Sequence, residues 1–139
     1  MQYWLFKTEP EEYSYQDLAK AGGGTWDGVR NPRALANLAQ VRPGDRVFIY
    51  HTGKHRAVVG LAEAVSPPYP DPHAADHRLV VVDLAPRGEL PRPVTLAEIK
   101  TDSLFAGWEL VRLPRLSVMP APERIWQSVL GMSQAGPSK

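Results

Sequence analysis

The 139 residues, 43 % hydrophobic and 22 % charged, suit one globular domain, and with no cysteine they exclude disulfides, thiol nucleophiles and thiolate zinc sites. The net charge of +1 is unevenly spread: residues 1–25 carry −2, residues 26–60 carry +4 and residues 61–139 carry −1, so the basic excess gathers in one segment, either the footprint a phosphate backbone calls for or a solvated face of mixed charge. No apolar run approaches the ~20 residues of a membrane span, and "MQYWLFKTEP" lacks the basic start and longer apolar stretch of a secretory signal, so a cytoplasmic location is expected.

"QYWLFK" (2–7) reads as a buried first strand, stopped at "TEP" because Pro10 pushes the residue before it toward extended geometry. Ser14 offers an N-cap to a short helix over 15–20, which the triple glycine at 22–24 ends. "GTWDGVRNP" (24–32) sets Trp26 among the turn formers Asp-Gly and Asn-Pro. A large ring held in a turn either plugs the end of a core or offers its face to something arriving from outside. Asn31 caps a predicted helix whose first position is Pro32, running through "PRALANLAQV" with Leu35, Leu38 and Ala39 along one face. Its N-terminal N–H groups are candidates to meet a phosphate.

A Pro-Gly turn then leads into a strand over 46–51, and a Gly-containing loop into a second over 57–65, the two forming an antiparallel hairpin. "SPPYPDPHAAD" (66–76), with four prolines, reads as a loop, and 77–86 as another strand. Thr95 and Glu98 fit a capping box that opens a brief helix; 104–110 fits a further short one. "RLSVMP" (115–120) is a late strand, and 122–132 a closing amphipathic helix with Ile125, Trp126, Val129 and Leu130 inward. Residues 1–133 make one domain without repeats, and 134–139 a flexible tail. Five or six short strands with small helices between them predict an α+β fold with a mixed, strongly curved sheet or small barrel.

Enzyme signatures are absent: the sequence contains no G-x-G-x-x-G, P-loop, H-E-x-x-H or G-x-S-x-G. Two H-x-x-x-H pairs occur, His51/His55 and His73/His77, but one straddles a strand end and the other lies in the Pro-rich loop, with no third ligand near either. Neither metal nor cofactor is predicted. "KTEP" brings a cation, a hydroxyl and a carboxylate to the mouth of the first strand, where alternation puts Lys7 and Glu9 on one face and Thr8 on the other. That is either a solvated strand end or a polar rim over a pocket. "YHTG" (50–53) ends a strand in the same way, and Ser117 sets one polar atom inside an apolar run. With Trp26, these are the parts of a largely apolar pocket with sparse polar readers, the kind that holds an unstacked nucleobase.

Taken in order, "YWLFKTEP" (3–10), "TWDGVRNPRA" (25–34), "PGDRVFIYHTG" (43–53), "VVGLAEAV…YPDP" (58–72) and "RLSVMP" (115–120) resemble the EVE domain, a PUA-like family related to the YTH readers of methylated adenine. The resemblance spans nearly the whole chain. It implies a PUA-like curved mixed β-barrel of five or six strands with short surrounding helices, and a non-catalytic module that holds a modified, flipped-out base, most often a modified cytosine in DNA. Carried over, Trp26 is the stacking wall, Lys7, Thr8, Asn31, Tyr50, His51, Thr52 and Ser117 are ligand-binding, and Tyr69 is a candidate second wall. Arg30, Arg33, Lys54 and Arg56 are the expected phosphate contacts. The chain departs from the family pattern at Thr8 and Thr52, where Ser is common, at Met119, where Gln is common, and in a shorter loop after Pro72. Two alternatives stand beside this reading: a module recognising structured RNA, and a hydrolase of acylated bases using Lys7 and Thr8 with Glu9 or Glu63. A single-domain reader also implies an effector partner that the sequence does not name.

Overall fold

The first aromatic run is laid down as strand β1, Tyr3–Thr8, with Trp4, Leu5 and Phe6 buried, in a computed structural model that describes residues 1–135. Helix α1 (Tyr15–Ala21) follows, capped as expected by Ser14, whose side chain and that of Asp17 satisfy each other's backbone N–H, and closed by Gly22 in the left-handed region. Next come β2 (Gly24–Trp26) and α2 (Pro32–Leu38), then β3 (Arg46–His51) and β4 (Ala57–Ala64), joined by a 3₁₀ turn at Gly53–His55. The chain continues through β5 (Tyr69–Pro70), β6 (Val80–Thr95) and α3 (Leu96–Lys100), the last opened by the expected Thr95–Glu98 capping box. After a 3₁₀ turn at Ser103–Phe105 it ends in α4 (Glu109–Arg112), β7 (Val118–Pro120) and α5 (Glu123–Ala135).

One sheet runs in the order β2-β6-β4-β3-β1-β7, with β5 on β6. β1 and β3 are parallel in register Tyr3↔Arg46 to Thr8↔His51, and the other pairings are antiparallel. The end strands β2 and β7 do not pair with each other, so the sheet curls into a half-barrel rather than closing, an α+β architecture as expected. Helix α5 fills one side: Trp126 stacks on Phe48 (3.7 Å between centroids) and on Tyr3 (4.6 Å).

The curl has a local cause. Register shifts in the β4–β6 pairing bend both strands around Gly60, where the Tyr15 ring lies flat against the backbone. A Cβ at position 60 would sit 2.6 Å from that ring. The Tyr15 hydroxyl donates to the Leu61 carbonyl (2.7 Å) and accepts from the Gly88 N–H (2.9 Å), closing the gap that the bulge opens in the ladder.

Several boundaries differ from expectation. β6 continues to Thr95 rather than stopping at 86, because the prolines at 86, 91 and 93 lie along it without ending it. The loop at 66–76 contributes the two residues of β5. On α2 the inward residues are Ala34 and Leu38, with Leu35 half-buried and Ala39 exposed. α5 runs through Ala135 with Ser133 buried, so 134 and 135 are helical; the rest of the expected tail, 136–139, lies outside the described residues.

Candidate functional site

The C-terminal ends of the parallel strands β1 and β3 open into the segment that builds the site. Beyond Thr8 the chain turns back on itself: the Glu9 carbonyl accepts the N–H groups of Glu12 and Tyr13, and the Thr8 hydroxyl donates to the Tyr13 carbonyl at 2.6 Å. This turn sets Tyr13 edge-on to Trp26, with ring centroids 6.1 Å apart and planes at 74°. Gly24 gives the tyrosine its room, since a Cβ there would lie 2.9 Å from the Tyr13 hydroxyl. Trp26 ends β2, and Asp27-Gly28 turns the chain away, Gly28 at φ 77°.

The result is a cleft of about 590 Å³, within the range of small-molecule sites. Trp26, Tyr13 and Val29 supply its apolar surface; Lys7, Thr8, Thr25 and Ser117 supply hydroxyls and an ammonium; Glu9, Glu12 and Asp27 supply carboxylates. Lys7 donates from Nζ to the Pro114 carbonyl (2.9 Å) and sits 5.5 Å from the centre of the Tyr50 ring. Burial pushes its ammonium below the ordinary lysine range. Burial, with Asp17 and Asp27 adding to it, pushes the Tyr13 phenol up.

Of the expected ligand-binding residues, Lys7, Thr8, Trp26 and Ser117 come together in this cleft. Lys7 and Thr8 both line it, despite strand alternation, because β1 ends there. Trp26 is not held in a turn. It pairs with Val82 as the last residue of β2 and is only 7 % exposed, packed against Phe6 (5.7 Å between centroids) and Tyr13. Its indole N–H has no hydrogen-bond partner among the described residues, whereas those of Trp4 and Trp108 are bound to Asp45 and to the Pro120 carbonyl.

The remaining expected residues lie elsewhere. Tyr69 does not line the cleft: its hydroxyl is held at 2.6 Å by Asp83, which also accepts from Thr25, and that carboxylate keeps the phenol above its ordinary range. The second aromatic surface is Tyr13. Asn31 caps α2, its side-chain oxygen accepting from the N–H groups of Arg33 and Ala34, while its carbonyl accepts from Leu35. Those helix N–H groups are therefore occupied and do not await a phosphate. Tyr50 is buried in the core, and the Thr52 hydroxyl donates to Glu9 (3.1 Å), fastening the β3–β4 turn to the Glu9 segment from behind. Glu63 pairs with Arg87 and Arg46 and takes no part in the cleft. Arg30 and Arg33 are exposed and make no ion pair among the described residues; Arg33 and Asn31 border a shallower depression that includes Pro114, the acceptor of Lys7.

His51 serves the fold. Its Nε2 accepts the N–H of Tyr15 at 3.0 Å, a bond that only an unprotonated nitrogen can accept. Burial pushes its pKa below the ordinary histidine value, with the Glu9 carboxylate opposing. The unfolded chain thus takes up this proton at higher pH than the folded one. The stabilisation is complete above about pH 6.5 and is lost as pH falls through the lower folded value. Wild-type Tm is expected to drop by a few degrees between about pH 7.5 and 5.5, and His51→Gln, which keeps an acceptor but does not titrate, to flatten that part of the profile. Identical profiles for the two proteins would assign the acid loss to other groups.

Fold and cleft together define a small half-barrel domain with an aromatic-walled cleft at the end of its parallel strand pair. The chain belongs to the EVE-domain family, whose model matches residues 2–132. A Rhodopseudomonas palustris protein solved by NMR is 36 % identical and superposes with a TM-score of 0.91, covering 99 % of this chain and 97 % of that one. Thymocyte nuclear protein 1 of Gallus gallus is 28 % identical over 97 % of this chain and 70 % of its own length. The human THYN1 protein, crystallised in complex with DNA containing 5-methylcytosine, is 27 % identical, with a TM-score of 0.89 over 99 % of this chain and 100 % of that one. No helix among the described residues is long and apolar enough to cross a membrane.

Proposed function

We propose that the domain holds a modified, flipped-out nucleobase, foremost a modified cytosine in DNA, in the Trp26 cleft, and does so without catalysing a reaction on it. The observation that carries this is the composition of the cleft, in which the Trp26 and Tyr13 rings stand beside both donors and acceptors. A cytosine edge offers an amino donor and two acceptors. Glu12 and Asp27 can receive the first, and Lys7 and Ser117 can serve the second. The DNA complex of the human relative supports the same ligand class.

Two bonds favour binding over catalysis. The Thr8 hydroxyl proton is committed to the Tyr13 carbonyl, one of the three Lys7 ammonium protons goes to the Pro114 carbonyl, and no hydrogen bond joins Lys7 to Thr8 among the described residues. A nucleophile and its base would need such a link.

Fluorescence-polarisation titrations against matched duplexes with and without one 5-methylcytosine test the reading. Burying a methyl group predicts tighter binding of the methylated duplex by about four- to tenfold. Equal affinity for the two, with structured RNA preferred over both, would replace base holding by recognition of shape.

A further inference from the structure

We infer that a second cleft, between the β3–β4 turn and α3, carries the phosphodiester backbone beside the held base; this rests on the base-holding reading above. The cleft measures about 750 Å³. Its two sides are locked together, since the Leu96 N–H donates to the Arg56 carbonyl (2.9 Å) and Ala57 pairs with Thr95. Lys54, His55, Arg56 and Lys100 supply its polar character over an apolar floor that includes Val59 and Leu96. Among the described residues no carboxylate lines it, and the four ion pairs engage other arginines, so Lys54, Arg56 and Lys100 face solvent without partners.

The contrast with the first cleft assigns the ligand. Three carboxylates and one ammonium line the Trp26 cleft, an environment that repels a phosphate and tolerates a neutral base. The second cleft has the reverse balance, and its flexible cations can follow a backbone without reading sequence. A groove of about 570 Å³ lies between the two, sharing Glu9 with the first and His51, Lys54 and His55 with the second; Glu9, Glu11 and Glu89 line it, so it separates the two clefts without offering a phosphate contact of its own. A nucleic acid with one base in the Trp26 cleft spans this acidic groove and sets its phosphates down beyond it, on Lys54, Arg56 and Lys100. Base and backbone are received by opposite electrostatics on one surface.

The test is the salt dependence of binding by the intact protein carrying Lys54→Ser, Arg56→Ser and Lys100→Ser together, read on the 5-methylcytosine duplex and its unmethylated twin. Each phosphate contact contributes a slope of about −0.9 in log K against log salt, so the variant is expected to lose about 2–3 units of slope while its methylated-to-unmethylated ratio stays that of wild type. All three side chains are exposed, and single Gln substitutions at the same positions give a graded series should the triple variant fold poorly. An unchanged slope would overturn the proposal, as would failure of the wild type to bind either duplex. A reduced slope in a protein with no methyl preference would uphold the second cleft and remove the base-holding reading instead.

Discussion

Asp45→Ala is expected to lower the unfolding free energy by about 3–5 kcal/mol, a large share of the roughly 5–15 kcal/mol that holds a domain of this kind. Asp45 is only 3 % exposed, yet its carboxylate meets three donors. Oδ1 accepts from the Gln2 N–H (3.0 Å), and Oδ2 accepts from the Trp4 indole N–H (2.9 Å) and the Arg42 N–H (2.9 Å). One side chain thus joins the start of β1, the buried Trp4 and the turn that enters β3. Its backbone is tied in as well, donating to the Arg42 carbonyl and accepting from Ala64 in β4. Alanine would strand all three donors, each at about 1–3 kcal/mol before relaxation and water entry. Asp45→Asn keeps one acceptor. With its oxygen toward Trp4 and Arg42 it turns an amide donor toward the Gln2 N–H, so about half the loss is expected. Urea unfolding reads both values as a shift in midpoint at constant slope. An alanine variant within about 1 kcal/mol of wild type would mean that water replaces the carboxylate and that the three bonds do not hold the sheet together.

What could be read from the sequence follows how local the chemistry is. Ser14, Asn31 with Pro32, and Thr95 with Glu98 announce helix starts within four residues of themselves, and all three helices begin where these residues place them. β3 falls at 46–51 because a Pro-Gly turn precedes an unbroken apolar run. β6 is half hidden because prolines and a charged stretch interrupt its alternation, while the pairing of that half comes from farther back in the chain, from Leu61↔Gly88 to Ala57↔Thr95 in β4. Asp45 carries no local mark of its role, since Trp4 is 41 residues away. In the cleft, "KTEP" and "WDGV" each mark a contributing segment, but nothing in either says that Thr8 bonds to Tyr13 and swings that ring beside Trp26. The available signal was a pair of tyrosines flanking the Ser14 cap. The backbone passes from extended to helical at the Ser14 cap, and Tyr15 enters the core while Tyr13 is left at the cleft.

Trp26 decides the functional reading, and substituting it has two effects that must be separated. Trp26→Ala empties a site packed against Phe6 and Tyr13, at a stability cost of about 3–5 kcal/mol, and also removes the stacking surface, worth about 1–3 kcal/mol per base or roughly 5- to 150-fold in affinity. A loss of binding in this variant alone would therefore confound unfolding with lost contact. Trp26→Phe keeps an aromatic ring in the core but removes the unpaired indole N–H and narrows the ring face from two fused rings to one. Tyr13→Ala removes the ring that stands edge-on to Trp26, which is only half-buried and on which the fold depends less. Both are expected to remain folded by circular dichroism and to weaken binding of the methylated duplex by about tenfold, with free 5-methylcytidine affected in parallel because the loss lies at the base and not at the phosphates. The salt slope should stay that of wild type in both, the reverse of what the Lys54, Arg56 and Lys100 substitutions produce. Undiminished affinity in folded Trp26→Phe and Tyr13→Ala proteins would show that nothing stacks there, and Trp26 would then be a core residue whose edge happens to reach a cleft.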